Sequence, residues 1–125
     1  MKRLFCTYKQ ALALKELGFD EPCLTYYHEN QRLESEIVFI KGSKFWNLPD
    51  ISEIAAPLYQ QAFRWFREKH DLQYWLSDGG ILGKTFIKIT GYKHDKFYMS
   101  SSEPMDYEEA ESACLDKLIE IIKNK

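Results

Sequence analysis

The chain has 125 residues, of which 45% are hydrophobic and 15% aromatic, and a formal net charge of -2. A chain of this size and greasiness can bury a core without a covalent staple, which argues against disorder, and its slight negative charge removes any broad attraction to phosphate backbones. Cys6, Cys23 and Cys114 are odd in number and lack zinc-type spacing, so they read as reduced thiols; no stretch is apolar enough for a leader or a membrane span, which places the protein in the cytoplasm.

The first element is a helix from Thr7 to Leu17. Thr7 stands as its capping residue with Gln10 three positions on, and Ala11, Leu14 and Leu17 give it one apolar side. Gly18 stops it in a left-handed conformation, with Phe19 folding back onto Leu14. Cys23 to His28 and Glu36 to Ile40 read as two strands of a hairpin around a polar loop, Glu29 to Ser35. Lys41 to Ala56 lacks clean periodicity and reads as a connector in which Phe45, Trp46 and Leu48 cover a core edge.

A second helix, Leu58 to His70, turns Tyr59, Ala62, Phe63 and Phe66 to one face and Arg64, Arg67 and Glu68 to the other. Trp65 falls on its flank, near Lys69, as the one large aromatic there left to face solvent. Leu72 to Leu76, Thr85 to Thr90 and Lys96 to Ser100 then read as strands, with a turn at Lys93-His94-Asp95. The last helix, Tyr107 to Ile122, buries Ala110, Cys114, Leu118 and Ile121, begins behind the capping residue Asp106, and matches its dipole with Glu108 and Glu109 at one end and Lys123 and Lys125 at the other.

The order is α-β-β-α-β-β-β-α, an α+β domain with an antiparallel sheet of about five strands packed with three helices. One domain covers residues 1–125, as a first unit 1–40, a connector 41–56 and a second unit 57–125. A tetrapeptide recurs at each helix start: Tyr8-Lys9-Gln10-Ala11, Tyr59-Gln60-Gln61-Ala62 and Tyr107-Glu108-Glu109-Ala110. Helix-plus-hairpin units related by duplication explain the recurrence, and so does the usefulness of Tyr and Ala in a first turn.

Candidate chemistry is sparse. Gly79-Gly80-Ile81-Leu82-Gly83-Lys84-Thr85 resembles a phosphate-binding loop, but Asp78 occupies the place of its first glycine, and Phe86 to Thr90 continues as a strand where a helix must open. A hairpin loop is the better reading. His28, Glu29, His70, Asp71, His94 and Asp95 are the only candidate bases or ligands, and they are scattered, with no histidine pair spaced for one metal and no nucleophile elbow. The chain therefore reads as non-enzymatic, with no catalytic residues, no metal and no cofactor.

Phe63-Arg64-Trp65-Phe66-Arg67 interleaves rings with cations, but the helical angle separates them into core and solvent faces. The sheet is more informative. Tyr26, Tyr27, Tyr74, Trp75, Tyr92, Phe97 and Tyr98 cannot all point inward, because neighbours in a strand alternate faces. Either helices cover both faces or one face presents rings to a partner. Tyr26, Tyr74, Trp75, Trp65 and Tyr98 are the candidate interaction surface.

Tyr8 to Cys23 (YKQALALKELGFDEPC), Pro57 to Leu72 (PLYQQAFRWFREKHDL) and the C-terminal DYEEAESACLDKLIEII resemble a group of small uncharacterised proteins found in gut Bacteroides and their phages or prophages. Leu58 departs from the Thr expected there. The helix-hairpin-helix order of the second half is similar to a phage sandwich domain, at the level of fold alone. The resemblance implies no reaction, cofactor or catalytic residue. The surplus of sheet aromatics, the near-neutral charge and the missing catalytic set point to a non-enzymatic accessory protein of a mobile element acting through protein contacts or self-association; the alternative is a single-stranded nucleic-acid module that stacks bases on Tyr26, Tyr74 or Trp75 and holds phosphate with Lys88, Lys93 and Lys96.

Overall fold

The computed structural model describes residues 4–21, 23–34, 54–77, 85–93, 96–101 and 105–124. Among the described residues three α-helices and two antiparallel sheets make an α+β fold: α1 (Tyr8–Glu16), β1 (Thr25–Tyr27), β2 (Ile54–Ala56), α2 (Tyr59–His70), β3 (Leu72–Ser77), β4 (Phe86–Gly91), β5 (Phe97–Ser100) and α3 (Tyr107–Lys123). The chain divides into two compact units, Met1–Tyr59 and Gln60–Lys125.

In the first unit α1 starts and stops as its sequence predicts. The Thr7 hydroxyl accepts the Gln10 N–H at 3.2 Å while Gln10 Oε1 accepts the Thr7 N–H at 2.9 Å, a complete capping box. At the other end Gly18 has a φ of 101°, Phe19 N–H donates to the Leu14 carbonyl and Gly18 N–H to that of Lys15. This is the hydrogen-bond pattern of a glycine-terminated helix, and Leu14 and Phe19 are both fully buried. The core gathers Phe5, Ala11, Tyr27, Ile54 and Ala56, with Tyr8, Leu12, Leu24, Leu33 and Leu58 packed against it.

Among the described residues the strands form a sheet of two and a sheet of three, and the expected single sheet of about five strands is not seen. β1 pairs with β2, residues read from sequence as the end of a connector, in the register Thr25↔Ala56, Tyr26↔Ala55 and Tyr27↔Ile54. Its other edge is taken by its own chain, where Tyr27 bridges Leu33 and the Glu34 N–H donates to the Tyr26 carbonyl. With both edges paired, β1 has no edge left for a third strand. The return begins at Leu33, within the predicted polar loop Glu29 to Ser35, because Gln31, at a φ of 67°, closes a tight turn in which its N–H donates to the His28 carbonyl. The expected strand Glu36 to Ile40, and Phe45, Trp46 and Leu48, lie outside the described residues.

In the second unit β3, β4 and β5 form an antiparallel sheet with β4 in the middle. Leu72, Tyr74 and Leu76 stand opposite Gly91, Ile89 and Ile87, so these six residues share one face. That face holds the buried side chains Leu72, Ile87 and Ile89, and α3 lies against β3 and β4. α3 buries Ala110, Cys114, Leu115, Leu118 and Ile119. Ile121, expected in this stripe, is only half-buried. Asp106 occupies the N-cap position of α3 with an extended backbone but makes no side-chain cap bond, so its part in that helix start is the charge it brings near the N-terminus.

Trp65 does not face solvent. It is 4% exposed, and it packs edge-on against Phe66 and His70 with ring centroids 5.1 and 4.8 Å away. The flank position read from the helical angle is closed over by these neighbouring rings. Tyr59, Ala62, Phe63 and Phe66 are buried as the periodicity predicts.

Candidate binding face of the three-stranded sheet

Strand alternation leaves a second face on the sheet of the second unit. Gln73, Trp75 and Ser77 of β3 stand opposite Thr90, Lys88 and Phe86 of β4, and β5 adds Ser100 opposite Lys88 and Phe97 opposite Thr90. Every one of these residues is exposed or half-buried. Trp75 is 52% and Phe97 58% exposed. The face therefore presents two large rings to water with a lysine between them.

Each ring owes its position to a local cause. Trp75 follows Tyr74 in a strand, and because Tyr74 is turned toward the helices Trp75 must point away from them. Tyr74 stacks on Phe63 of α2 with centroids 4.1 Å apart, and its hydroxyl is 3.4 Å from Gln60 Oε1. The Trp75 indole N–H donates to the Thr90 hydroxyl at 3.3 Å, which fixes the ring's direction across β4. Phe97 is set by an irregularity in the pairing of β4 with β5: Ile89 faces Met99 and Thr90 faces Phe97, so Tyr98 is an extra residue.

Lys88 is exposed and makes no ion pair among the described residues. No acidic residue occurs within β3, β4 or β5. Lys96 enters β5 with its ammonium 5.0 Å from the Tyr98 ring centroid, and the exposed Lys93 follows β4. Next to Lys93, Tyr92 is half exposed beneath the Arg67 guanidinium, 5.7 Å from the ring centroid. The acidic residues of α3, among them Glu108, Glu109, Asp116 and Glu120, belong to the helix packed against the opposite face.

The five residues expected to form an interaction surface do not gather in one place. Trp75 stands on the exposed face, Tyr98 is half-buried at its β5 edge, Tyr74 is turned to the helix side and Trp65 is buried. Tyr26 belongs to the first unit, where its hydroxyl is 3.4 Å from Glu34 Oε2 and its ring centroid 5.0 Å from that of His28. Phe97 and Thr90 complete the face and were not singled out as site residues by pattern. Alternation along Phe97-Tyr98-Met99 would put Phe97 on the inner face with Met99, and the extra residue that turns it outward leaves no mark in the sequence.

Of the candidate bases among the described residues, His28 and Glu29 belong to the first unit and His70 and Asp71 to the second. His28 pairs with Glu34, Nε2 to Oε2 at 2.8 Å, a carboxylate not among the candidates read from sequence. His70 ends α2 beneath Trp65 and Phe66. Asp71 accepts the Lys93 N–H on Oδ1 at 2.7 Å and the Tyr92 N–H on its carbonyl at 2.9 Å. His94, Asp95 and the loop Asp78 to Lys84 lie outside the described residues, and the chain resumes at Thr85 and β4 as a strand. Among the described residues no group of three or more His, Cys, Asp or Glu side chains is placed to hold a metal ion, and no helix is long and apolar enough to cross a membrane.

Two of the three thiols, those of Cys23 and Cys114, are poor nucleophiles. Burial, with Glu111 adding to it, pushes the Cys114 thiol up to about 12, and burial with Glu21 does the same for Cys23, also to about 12. No family model matches this chain, and neither a curated protein nor a solved structure is significantly similar to it.

Proposed function

We propose that the protein is a non-enzymatic accessory module that binds a macromolecular partner through the exposed face of β3–β5. The observation that carries this reading is the placement of Trp75 and Phe97 on the face turned away from α3, where they stand 52% and 58% exposed. Rings left in water contribute little to the core and reduce solubility, so a face that keeps two of them is suited to being covered by something else. Rings of this kind anchor protein interfaces and stack nucleic-acid bases alike. We extend the proposal to such a module working in the cytoplasm in the service of a mobile element, as the resemblance read from the helix segments implies.

A double replacement, Trp75→Ser with Phe97→Ser, tests the reading. If the rings are held for a partner, the variant folds with a thermal midpoint within about 3 °C of the parent and binds less of a hydrophobic dye. A midpoint lower by about 8 °C or more makes the rings part of the fold and ends the proposal.

A further inference from the structure

We infer that the occupant of this face is single-stranded nucleic acid, an inference that rests on the binding-face reading above. Lys88 stands on the central strand, opposite Trp75 on one side and Ser100 on the other, with Phe97 reached across Thr90. An apolar protein patch laid over Trp75 and Phe97 would bury that ammonium without a partner, and lysine is depleted from the centres of protein interfaces for this reason. A nucleic-acid strand meets both needs at once, since its bases cover rings and its phosphates neutralise amines. The exposed Lys93 follows β4 and the exposed Lys96 precedes β5, and β3, β4 and β5 hold no carboxylate to repel a phosphate. The acidic α3 lies against the other face, so an anion is drawn to one side of the sheet and turned from the other.

The geometry also selects a single strand over a duplex. Two strand spacings across and two residues along put the Cα atoms of Trp75 and Phe97 about 12 Å apart. Bases in a duplex are stacked roughly 3.4 Å apart, with their faces already covered, so they cannot lie on both rings. A flat sheet face also offers no helix or ribbon to enter a groove. Unpaired bases keep their faces free to stack on exposed rings.

The test uses the full chain and fluorescein-labelled ten-base single strands, oligo-dT and oligo-rA, beside a duplex of mixed sequence, read by anisotropy and by tryptophan quenching at low and moderate salt. The expected result is saturable binding of at least one single strand, weaker binding of the duplex, and, for a few phosphate contacts, a several-fold loss of affinity between about 50 and about 200 mM salt. Trp75→Ala and Phe97→Ala should each weaken binding by about tenfold or more. Lys88→Gln should weaken it and flatten the salt dependence, whereas Lys123→Gln on α3 should change neither.

Silence of both single strands overturns the inference, and so does equal binding of duplex and single strand, or an equal loss from Lys123→Gln. A tryptophan emission that shifts with protein concentration while the oligonucleotides stay silent assigns the face to a second copy of the chain and also overturns it. The Trp75→Ser, Phe97→Ser stability result separates the cases. A stable double variant with silent oligonucleotides defeats the nucleic-acid assignment alone, and an unfolded one defeats the binding face itself.

Discussion

The Tyr59 hydroxyl donates to Gln10 Oε1 at 3.0 Å, although the two residues are 49 positions apart. The same oxygen accepts the Thr7 N–H at 2.9 Å, so one carboxamide both completes the capping box of α1 and ties Tyr59 to it. Gln10 belongs to the first copy of the recurring tetrapeptide and Tyr59 opens the second. The recurrence is thus a physical pairing in the first unit as well as a likeness of wording.

Replacing Tyr59 with Phe removes one buried bond and leaves Gln10 its capping partner, at a cost of about 1 kcal/mol. Gln10→Ala removes the shared acceptor, strips both the Thr7 N–H and the Tyr59 hydroxyl of it, and costs about 2–3 kcal/mol. Denaturant melts of the two variants distinguish the cases; equal costs would mean the oxygen is not shared.

Asp71 ends α2 at a φ of 57°, a conformation natural to glycine, while its carboxylate holds the Lys93 N–H. Asp71→Gly loses the bond but relieves the backbone, so its net effect should stay within about 1 kcal/mol. Asp71→Val loses the bond and places a branched residue in the left-handed region, for a cost of about 2–3 kcal/mol. Urea midpoints that rank Val with Gly would contradict the backbone geometry.

Cys114 is fully buried on the helix side of the sheet and its thiol is pushed up to about 12. Iodoacetamide at pH 8 should therefore label it at least about a thousandfold more slowly in the native protein than in denaturant. Mass spectrometry of timed samples reads the ratio. Rapid native labelling of Cys114 would show that α3 does not stay packed on β3 and β4.

Burial first, and the Glu108 carboxylate second, raise the Glu111 carboxyl above the ordinary glutamate range. The folded state then holds this proton to higher pH than the unfolded state, so the group's contribution to stability falls as pH rises out of the ordinary range and through the raised value. Glu111→Gln should raise the thermal midpoint at pH 7, and the gain should shrink toward pH 4. A gain that grows on acidification would reverse the sign and refute the shift.

The helices were legible because their signals are local. Thr7 with Gln10 marks one start, Gly18 a stop, and the apolar spacing in Tyr59–His70 the face that is buried. β2 was not, because Ile54-Ala55-Ala56 has neither branched residues in alternation nor a turn linking it to β1; only pairing with Thr25–Tyr27 makes it a strand. The candidate surface was half legible. Alternation requires Tyr74 and Trp75 to face opposite ways, so the two could never share one surface, and the stacking of Tyr74 on Phe63 shows which was turned inward. Trp65 needed the ring of His70, at the end of its own helix, to be recognised as enclosed.

The extra residue at Tyr98 has a bearing on how copies of this chain behave when concentrated. Among the described residues β5 is an outer strand in the order β3-β4-β5, and an outer strand with regular hydrogen-bonding groups invites another chain to extend the sheet sideways. A bulge bends and twists that border, and Lys96 puts a charge at its start. Removing the irregularity by deleting one residue would straighten the border and favour fibrous, sheet-to-sheet growth, so the same kink that exposes Phe97 also guards the protein against polymerising with itself.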